Sequence, residues 1–246
     1  MTVTDEAFVA VLSRFASMAN LVLRNPERWL GWGSTTTSES NGRVATLRQR
    51  VFSETPGSEH WRHLTAEDRS EWWVSRISNL AGFLAATPRV MGAVSDRVPL
   101  QAALGSAVAG LAVCAVALEH GVDDPRDWVP LLGVVLFERD LRRELPACQL
   151  QSHHEISVEL SRLDDNKPPQ EDLDVSPDSH RAGSTALQLA RGLLTLRPVF
   201  EQRPRGARVF RAMGKVPVVG LVGGWLDERG GVRKAAEATR RALSDA

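Results

Sequence analysis

The chain has 246 residues, of which 43% are hydrophobic and 24% charged, a composition typical of one large or two small globular domains. Thirty basic residues balance thirty acidic ones, so the molecule as a whole has no field that would draw it to nucleic acid or acidic lipid. Two cysteines are too few for a disulfide framework or a structural zinc site. The first residues carry acids where a signal peptide needs bases, so we expect a cytoplasmic protein.

The N-terminal region predicts two helices. Apolar residues recur every three or four positions over residues 8–22, which predicts an amphipathic helix that ends near Arg24. Asn25 followed by Pro26 is typical of a helix N-terminus, with the asparagine as the capping residue. We therefore expect a second, short helix that carries Trp29 and Trp32.

Further helix-start signals follow along the chain. Thr65 and Asp68 have the spacing of a capping box, and the apolar pattern after them predicts a helix over residues 65–86. Thr87 and Pro88 predict another short helix that runs toward Asp96. Two more helices are predicted over residues 184–196 and 231–243. Since no segment shows sustained strand alternation, the predicted fold class is all-α, a helical bundle.

The longest apolar run, residues 98–118, has no charged side chain and is rich in alanine and glycine. Its length would span a bilayer, but its many small residues make insertion marginal. Small residues at four-residue spacing, such as Gly105 with Ala109 and Ser106 with Gly110, allow a close helix contact. Three interpretations stay open: a central helix buried in the protein, a shallow or hairpin insertion in the membrane, and a single membrane span.

Two shorter apolar runs cover residues 128–137 and 216–226. Each contains proline and glycine, and each is too short for an ordinary membrane crossing. They share Val, Pro, Gly and Val at matching positions. Two interpretations stay open: a pattern for close helix packing, and a membrane wedge, which the tryptophan at the end of the second run favours.

Charge divides the chain into three parts. Residues 164–181 contain six acids, two bases and three prolines with few apolar anchors, which predicts a mobile linker. It would separate a helical domain, residues 1–163, from a C-terminal helical module, residues 182–246, that packs on the first domain. That module has twelve basic and five acidic residues, so the basic surplus of the chain is local.

Searches for chemistry give weaker signals. His60 and His63 lie near Glu59 and Glu67 in the sequence. A second cluster consists of His153, His154, Glu155 and Glu159. A soluble metal-dependent enzyme or small-molecule carrier that uses these clusters is the alternative function, but neither cluster has four defined ligands, so we predict no metal site, no cofactor and no catalytic residue. Cys114 lies in the uncharged run, where burial should raise the pKa of its thiol.

The basic C-terminal module holds the candidate contact residues. Arg208, Arg211 and Lys215 precede an apolar run that ends with Trp225. Clustered arginines beside a tryptophan are typical of a protein surface that meets an anionic membrane or a membrane protein. The segment has no motif for specific nucleic-acid recognition, so we predict no nucleic-acid partner. The sequence leaves the oligomeric state open.

Two passages resemble the EcsC-like family of bacterial helical proteins: HGVDDPRDWVPLLGVVLF over residues 120–137, and KVPVVGLVGGWLDERGGVRKAAEATRRAL over residues 215–243. A stretch that begins with EWWV at Glu71 also resembles actinobacterial proteins of unknown activity. The family resemblance implies a mostly helical protein linked to membranes or transport, with no catalytic residues to carry over. We therefore expect a non-enzymatic, membrane-associated accessory or scaffold protein, peripheral to the inner face of the cell membrane.

Overall fold

The computed structural model describes residues 4–32, 55–86, 98–148, 150–152, 154–158, 177–196 and 217–245. Within these ranges the chain forms helices and no strand, so the predicted all-α class is confirmed. The α-helices in chain order are α1 (Asp5–Arg24), α2 (Pro26–Leu30), α3 (Glu59–His63), α4 (Ala66–Ala86), α5 (Val98–Glu119), α6 (Pro125–Phe137), α7 (Pro177–Leu193) and α8 (Pro217–Ser244). Two 3₁₀ helices are Arg142–Ala147 and Leu194–Leu196, and residues 154–158 are also helical.

The predicted cap at Thr65 is confirmed. Its hydroxyl accepts a hydrogen bond from the backbone N–H of Asp68 at 3.1 Å and donates one to the Asp68 carboxylate at 2.6 Å. Asn25 does stand before α2, but the prediction that its side chain caps this helix is wrong. Its amide Nδ2 donates instead to the carbonyl of Leu21, because that carbonyl at the end of α1 has no partner within its own helix.

Helix α5 ends in a turn that the sequence also indicates. Gly121 has a φ of +88°, the left-handed region that glycine adopts without steric cost. The N–H of Gly121 donates to the carbonyl of Leu118, and the N–H of Val122 to that of Ala117, which is the hydrogen-bond pattern of a Schellman motif. This turn leads the chain into α6.

Helix α5 is the centre of the bundle. It packs against α1, α4, α6, α7 and α8. From Ala103 to Ala117 every residue is buried except Gly105 and Ala109, which are half-buried. An added Cβ at Gly110 would lie 2.8 Å from a ring carbon of Phe15, so α1 approaches α5 there at a distance that only glycine permits. The described part of the uncharged run is therefore enclosed by the other helices.

Side-chain contacts between helix ends fix their directions. Arg139, just after α6, pairs with Asp5 at the start of α1, while Arg24 at the end of α1 lies 3.7 Å from Asp123, just before α6. Helices α1 and α6 are therefore antiparallel. Arg69 near the start of α4 contacts Glu119 at the end of α5, so this pair is antiparallel too.

Helix α7 begins at Pro177, inside the segment predicted as a linker. Residues 177–181 are therefore helical, since the proline occupies the first helical position, where its missing N–H costs no hydrogen bond. The rest of the predicted linker, residues 164–176, lies outside the described residues, as does the short helix predicted after Thr87. Helix α7 packs on α5, and α8 packs on α4 and α5.

Among the helices that the structure describes, α1 has the length and apolar composition that would permit a membrane crossing. Of an 18-residue stretch of α1, 72% is buried against the neighbouring helices, which is the position of a core helix. Packing in the bundle therefore accounts for the apolar character of α1.

Candidate interaction site at one end of the bundle

Four indole rings meet at the end of the bundle where α4 begins and α5 ends. This tryptophan cluster consists of Trp32, Trp61, Trp72 and Trp73. Its ring centroids lie 5.1 to 6.5 Å apart, and most of the pairs are edge-to-face. Such contacts contribute about 0.5–1.5 kcal/mol per pair beyond the burial of apolar area. The cluster therefore fastens two segments that have little other regular structure, the chain after α2 and the short helix α3, to α4.

Helix geometry explains why these rings converge. Trp72 and Trp73 are neighbours on α4, so their side chains leave the helix in directions about 100° apart. Their rings still touch, with centroids 5.1 Å apart. Trp73 is buried and Trp72 is half-buried. Trp32, just after α2, and Trp61, within α3, contact both of these rings, and Trp61 is only 8% exposed. The cluster thus has a buried inner part and an outer part at the surface.

The outer part has an arginine stacked on it. The guanidinium carbon of Arg76 lies 4.2 Å from the ring centroid of Trp72, and Arg76 stands one helical turn after Trp72 on α4. Tryptophan and arginine are the residue types most enriched at the energetic centres of protein interfaces. The rings are in direct contact with one another, so the cluster is a packed surface and not an open aromatic cage of the kind that encloses a quaternary ammonium group.

Glu119 anchors the inner part. Its carboxylate accepts a hydrogen bond from the indole N–H of Trp73 at 2.9 Å and another from Nε of Arg69 at 2.6 Å. The side chains of Glu119 and Arg69 are only 11% and 23% exposed. A carboxylate at the C-terminus of a helix opposes the helix dipole, so these two charge-assisted hydrogen bonds offset both that repulsion and the loss of hydration.

Arg69 also connects the short helix α3 to the bundle. Its Nη1 donates to the carbonyl of Leu64 at 2.9 Å, and Leu64 is the residue that follows α3. One guanidinium therefore joins the end of α3, the start of α4 and the end of α5. This uses the planar fork of donors that arginine has and lysine lacks.

A second group of charges joins α8 to the same end. Arg240 of α8 lies 3.0 Å from a carboxylate oxygen of Glu67 and 3.5 Å from one of Glu71, both on α4. The other oxygen of Glu67 lies 3.8 Å from Nε2 of His120. The nitrogens Nε and Nη2 of Arg240 are buried, and neither makes a hydrogen bond of good geometry. The contacts of Arg240 with the two glutamates are therefore ion pairs without hydrogen bonds.

The structure describes the first histidine cluster of the alternative hypothesis and part of the second. His60 and His63 lie in α3, and His153 lies outside the described residues. His154 and Glu155 are exposed. Hydrogen bonds from the hydroxyl and the N–H of Ser152 lower the pKa of Glu155. In the part of the chain that the structure describes, no three His, Cys, Asp or Glu side chains are grouped as metal ligands would be.

The cysteines behave as core residues. Cys114 is fully buried in α5, and burial raises the pKa of its thiol, as the sequence predicts. Cys148 is 8% exposed, and its sulfur lies 3.1 Å from the hydroxyl of Ser13 on α1. That hydroxyl also lies 2.6 Å from the carbonyl of Val9. These contacts tie the chain after the first 3₁₀ helix to α1.

The predicted membrane-contact residues are Arg208, Arg211, Lys215 and Trp225. Arg208, Arg211 and Lys215 lie outside the described residues. Position 225 lies within α8, in the part of that helix whose side chains fall outside the described ones. The membrane contact predicted for Trp225 therefore stays a prediction.

The sequence does not predict the tryptophan cluster. It predicts a short helix that carries both Trp29 and Trp32, and this is wrong for Trp32, because α2 ends at Leu30. A signal was available, since five of the seven tryptophans lie within residues 29–73. Protein-family models, curated proteins and solved structures include no match to this chain. The resemblance to the EcsC-like family therefore stays a prediction.

Proposed function

We propose that this protein is a non-enzymatic helical scaffold that attaches to the inner, anionic face of the cell membrane through its basic C-terminal region. The observation that carries the proposal is the separation of the apolar core from the basic part of the sequence. The most apolar of the described helices, α5, is enclosed by other helices over residues 103–117, which favours a peripheral membrane contact over a membrane span. The basic surplus lies in the C-terminal region of the sequence.

The basic charge is concentrated between two helices. Residues 197–216, between the 3₁₀ helix Leu194–Leu196 and the start of α8, contain six basic residues and one acid. Arg208, Arg211 and Lys215 are in this segment. Each basic residue near an anionic lipid surface contributes about 1 kcal/mol, so several together hold a protein there reversibly. At physiological ionic strength, attractions between charges more than about 8 Å apart are largely screened.

The tryptophan cluster supports the scaffold part of the proposal. Its outer surface, Trp72 with Arg76 stacked upon it, combines a half-buried aromatic ring with a cation, as the centres of protein interfaces do. It lies where α4 starts, beside the C-terminal end of α8. In the sequence, the basic segment precedes the N-terminal end of α8.

The test is co-sedimentation with vesicles. We expect the wild-type protein at low salt to bind vesicles that contain phosphatidylserine. We expect no binding to vesicles of phosphatidylcholine alone. The variant Arg208→Glu, Arg211→Glu should lose this binding, because it replaces two attractions with two repulsions. Wild-type binding should also fall as the salt concentration rises.

A matched control separates local attraction from net charge. Arg142 and Arg143 are both exposed in the 3₁₀ helix Arg142–Ala147, so Arg142→Glu, Arg143→Glu makes the same change of charge elsewhere. We expect this control to bind nearly as well as the wild type. If the wild type stays in solution at low salt, or if both double variants lose binding equally, the basic segment is not a membrane contact.

A further inference from the structure

The C-terminal part of α8 is attached to the bundle by small apolar side chains. From residue 230 onward the buried ones are Val232, Ala235 and Ala236. Leu243 is half-buried. Hydrophobic stabilisation scales with the apolar area that is buried, and such small side chains bury little of it. Apolar packing alone is therefore a weak attachment for this part of α8.

The surface that receives α8 is a face of α4. Arg240 of α8 lies 3.0 Å from Glu67 and 3.5 Å from Glu71, which mark this face. The helical period places Val74 and Ser78 on the same face, two turns after these glutamates. We call the face with these four α4 residues the α8 seat.

The α8 seat contains an unpaired hydroxyl. Ser78 is 4% exposed, and its hydroxyl makes no hydrogen bond to any residue that the structure describes. A hydroxyl in this state regains a hydrogen bond to water only when the contact opens, so it favours opening. The seat thus binds α8 without holding it permanently.

Charge decides where α8 docks. Arg240 is 22% exposed and contacts the glutamates of the seat, whereas the neighbouring Arg241 is 75% exposed and pairs with Glu237 of its own helix. An ion pair depends on the charges and their distance, so Arg240 would pair equally well with the two glutamates of another copy. The seat is therefore complementary to α8 of any copy of this chain.

The connection that precedes α8 is long enough for such an exchange. Residues 197–216 join Leu196 to Pro217, and roughly twenty extended residues reach at most about 70 Å. The 28 residues of α8 are about 42 Å long. Because the connection can be longer than the helix, α8 can reach the seat of a neighbouring molecule.

We propose that the α8 seat is a docking site for α8 of a second copy, so that two copies exchange this helix and form a dimer. In the exchanged dimer, Arg240 of each copy pairs with Glu67 and Glu71 of the other. The exchange requires little free energy, because it repeats the contacts of the single copy and needs no additional interface. It is independent of the proposed membrane attachment.

Charge reversal on the two sides of the contact, in separate molecules, tests the exchange. One variant carries Arg240→Glu and the other carries Glu67→Arg, Glu71→Arg, so each variant repels its own α8. If α8 is exchanged, a mixed dimer has opposite charges at both seats, whereas each identical dimer has like charges at both. We expect native mass spectrometry of the two variants, refolded together, to give a ratio of mixed to identical dimers about tenfold above random pairing. Dimers in random proportions, or monomers alone, would overturn the exchange.

Two controls separate the exchange from folding and from net charge. A single chain with all three substitutions has opposite charges again and should unfold at nearly the wild-type temperature. Arg241→Glu makes the same change of charge at the exposed neighbour, so its mixture with Glu67→Arg, Glu71→Arg should pair at random. Equal enrichment with Arg241→Glu would show that net charge, and not the seat, drives the pairing.

The wild-type protein gives a test that needs no substitution. Light scattering should show a fraction with twice the mass of 26.9 kDa, and this fraction should grow as the protein concentration rises. A wild type that stays monomeric at every concentration after refolding would overturn the proposal, even if one of the variants failed to fold.

Discussion

Helices α5 and α8 are both rich in alanine and glycine, yet they pack in different ways. At Gly110 of α5 an added Cβ would lie 2.8 Å from the ring of Phe15 and 3.3 Å from Leu136. At Gly230 and Gly231 of α8 it would meet no atom within 4 Å. Glycine in α5 allows two helices to touch, whereas these two glycines of α8 face open space and weaken their own helix.

Composition alone therefore does not distinguish a helix that is surrounded from a helix that is covered on one face. What differs is the number of sides on which the helix has neighbours. Helix α5 is surrounded, so nearly every small side chain from 103 to 117 is in contact. Over residues 230–244, α8 buries one face, and its other side carries exposed charges such as Arg233, Lys234 and Glu237. Three substitutions test this contrast, and the largest effect is expected at the end of α5.

Glu119→Ala should lower the free energy of unfolding by about 3 kcal/mol. The substitution leaves the Arg69 guanidinium and the Trp73 indole N–H in a mostly buried place without their acceptor. Chemical denaturation followed by tryptophan fluorescence measures the change. Glu237→Ala on the exposed side of α8 is the control and should cost less than about 1 kcal/mol. Similar losses for the two variants would contradict the role of Glu119 as an anchor.

Gly110→Leu should destabilise the protein by about 1–3 kcal/mol, since the new side chain would overlap the space of Phe15. Gly110→Ala should act in the same direction with a smaller effect, because the ring can shift by part of an ångström. Thermal unfolding followed by circular dichroism measures both. An unchanged melting temperature for the leucine variant would show that α1 and α5 are not in close contact at this position.

Much of the fold could be predicted because its signals are local. The apolar period over residues 8–22, the Thr65 cap and the Gly121 turn each depend on side chains within a few residues of one another. The start of α7 is the exception. The acidic, proline-containing composition before it favours a linker, but a proline at the first helical position and packing on α5 favour a helix from Pro177 onward.

The candidate site could not be predicted in the same way because its members are distant in sequence. Trp32, Trp61 and Trp73 come from three separate segments, and Glu119 comes from a fourth. Each tryptophan alone is typical of an ordinary core residue. Only the antiparallel packing of α4 and α5 brings the indole N–H of Trp73 to Glu119 and makes one connected cluster.

The smallest expected effect is a gain. Gly231 is exposed in the interior of α8, so Gly231→Ala adds no contact and should stabilise the helix by about 0.5–1 kcal/mol, because alanine loses less backbone entropy than glycine. Hydrogen exchange shows where this gain appears. If α8 opens separately from the bundle, exchange should slow about two- to fivefold in residues 230–244 and remain unchanged in α5. If exchange slows equally in both helices, α8 unfolds only with the whole bundle, and the contrast between a surrounded helix and one covered on a single face does not extend to their stability.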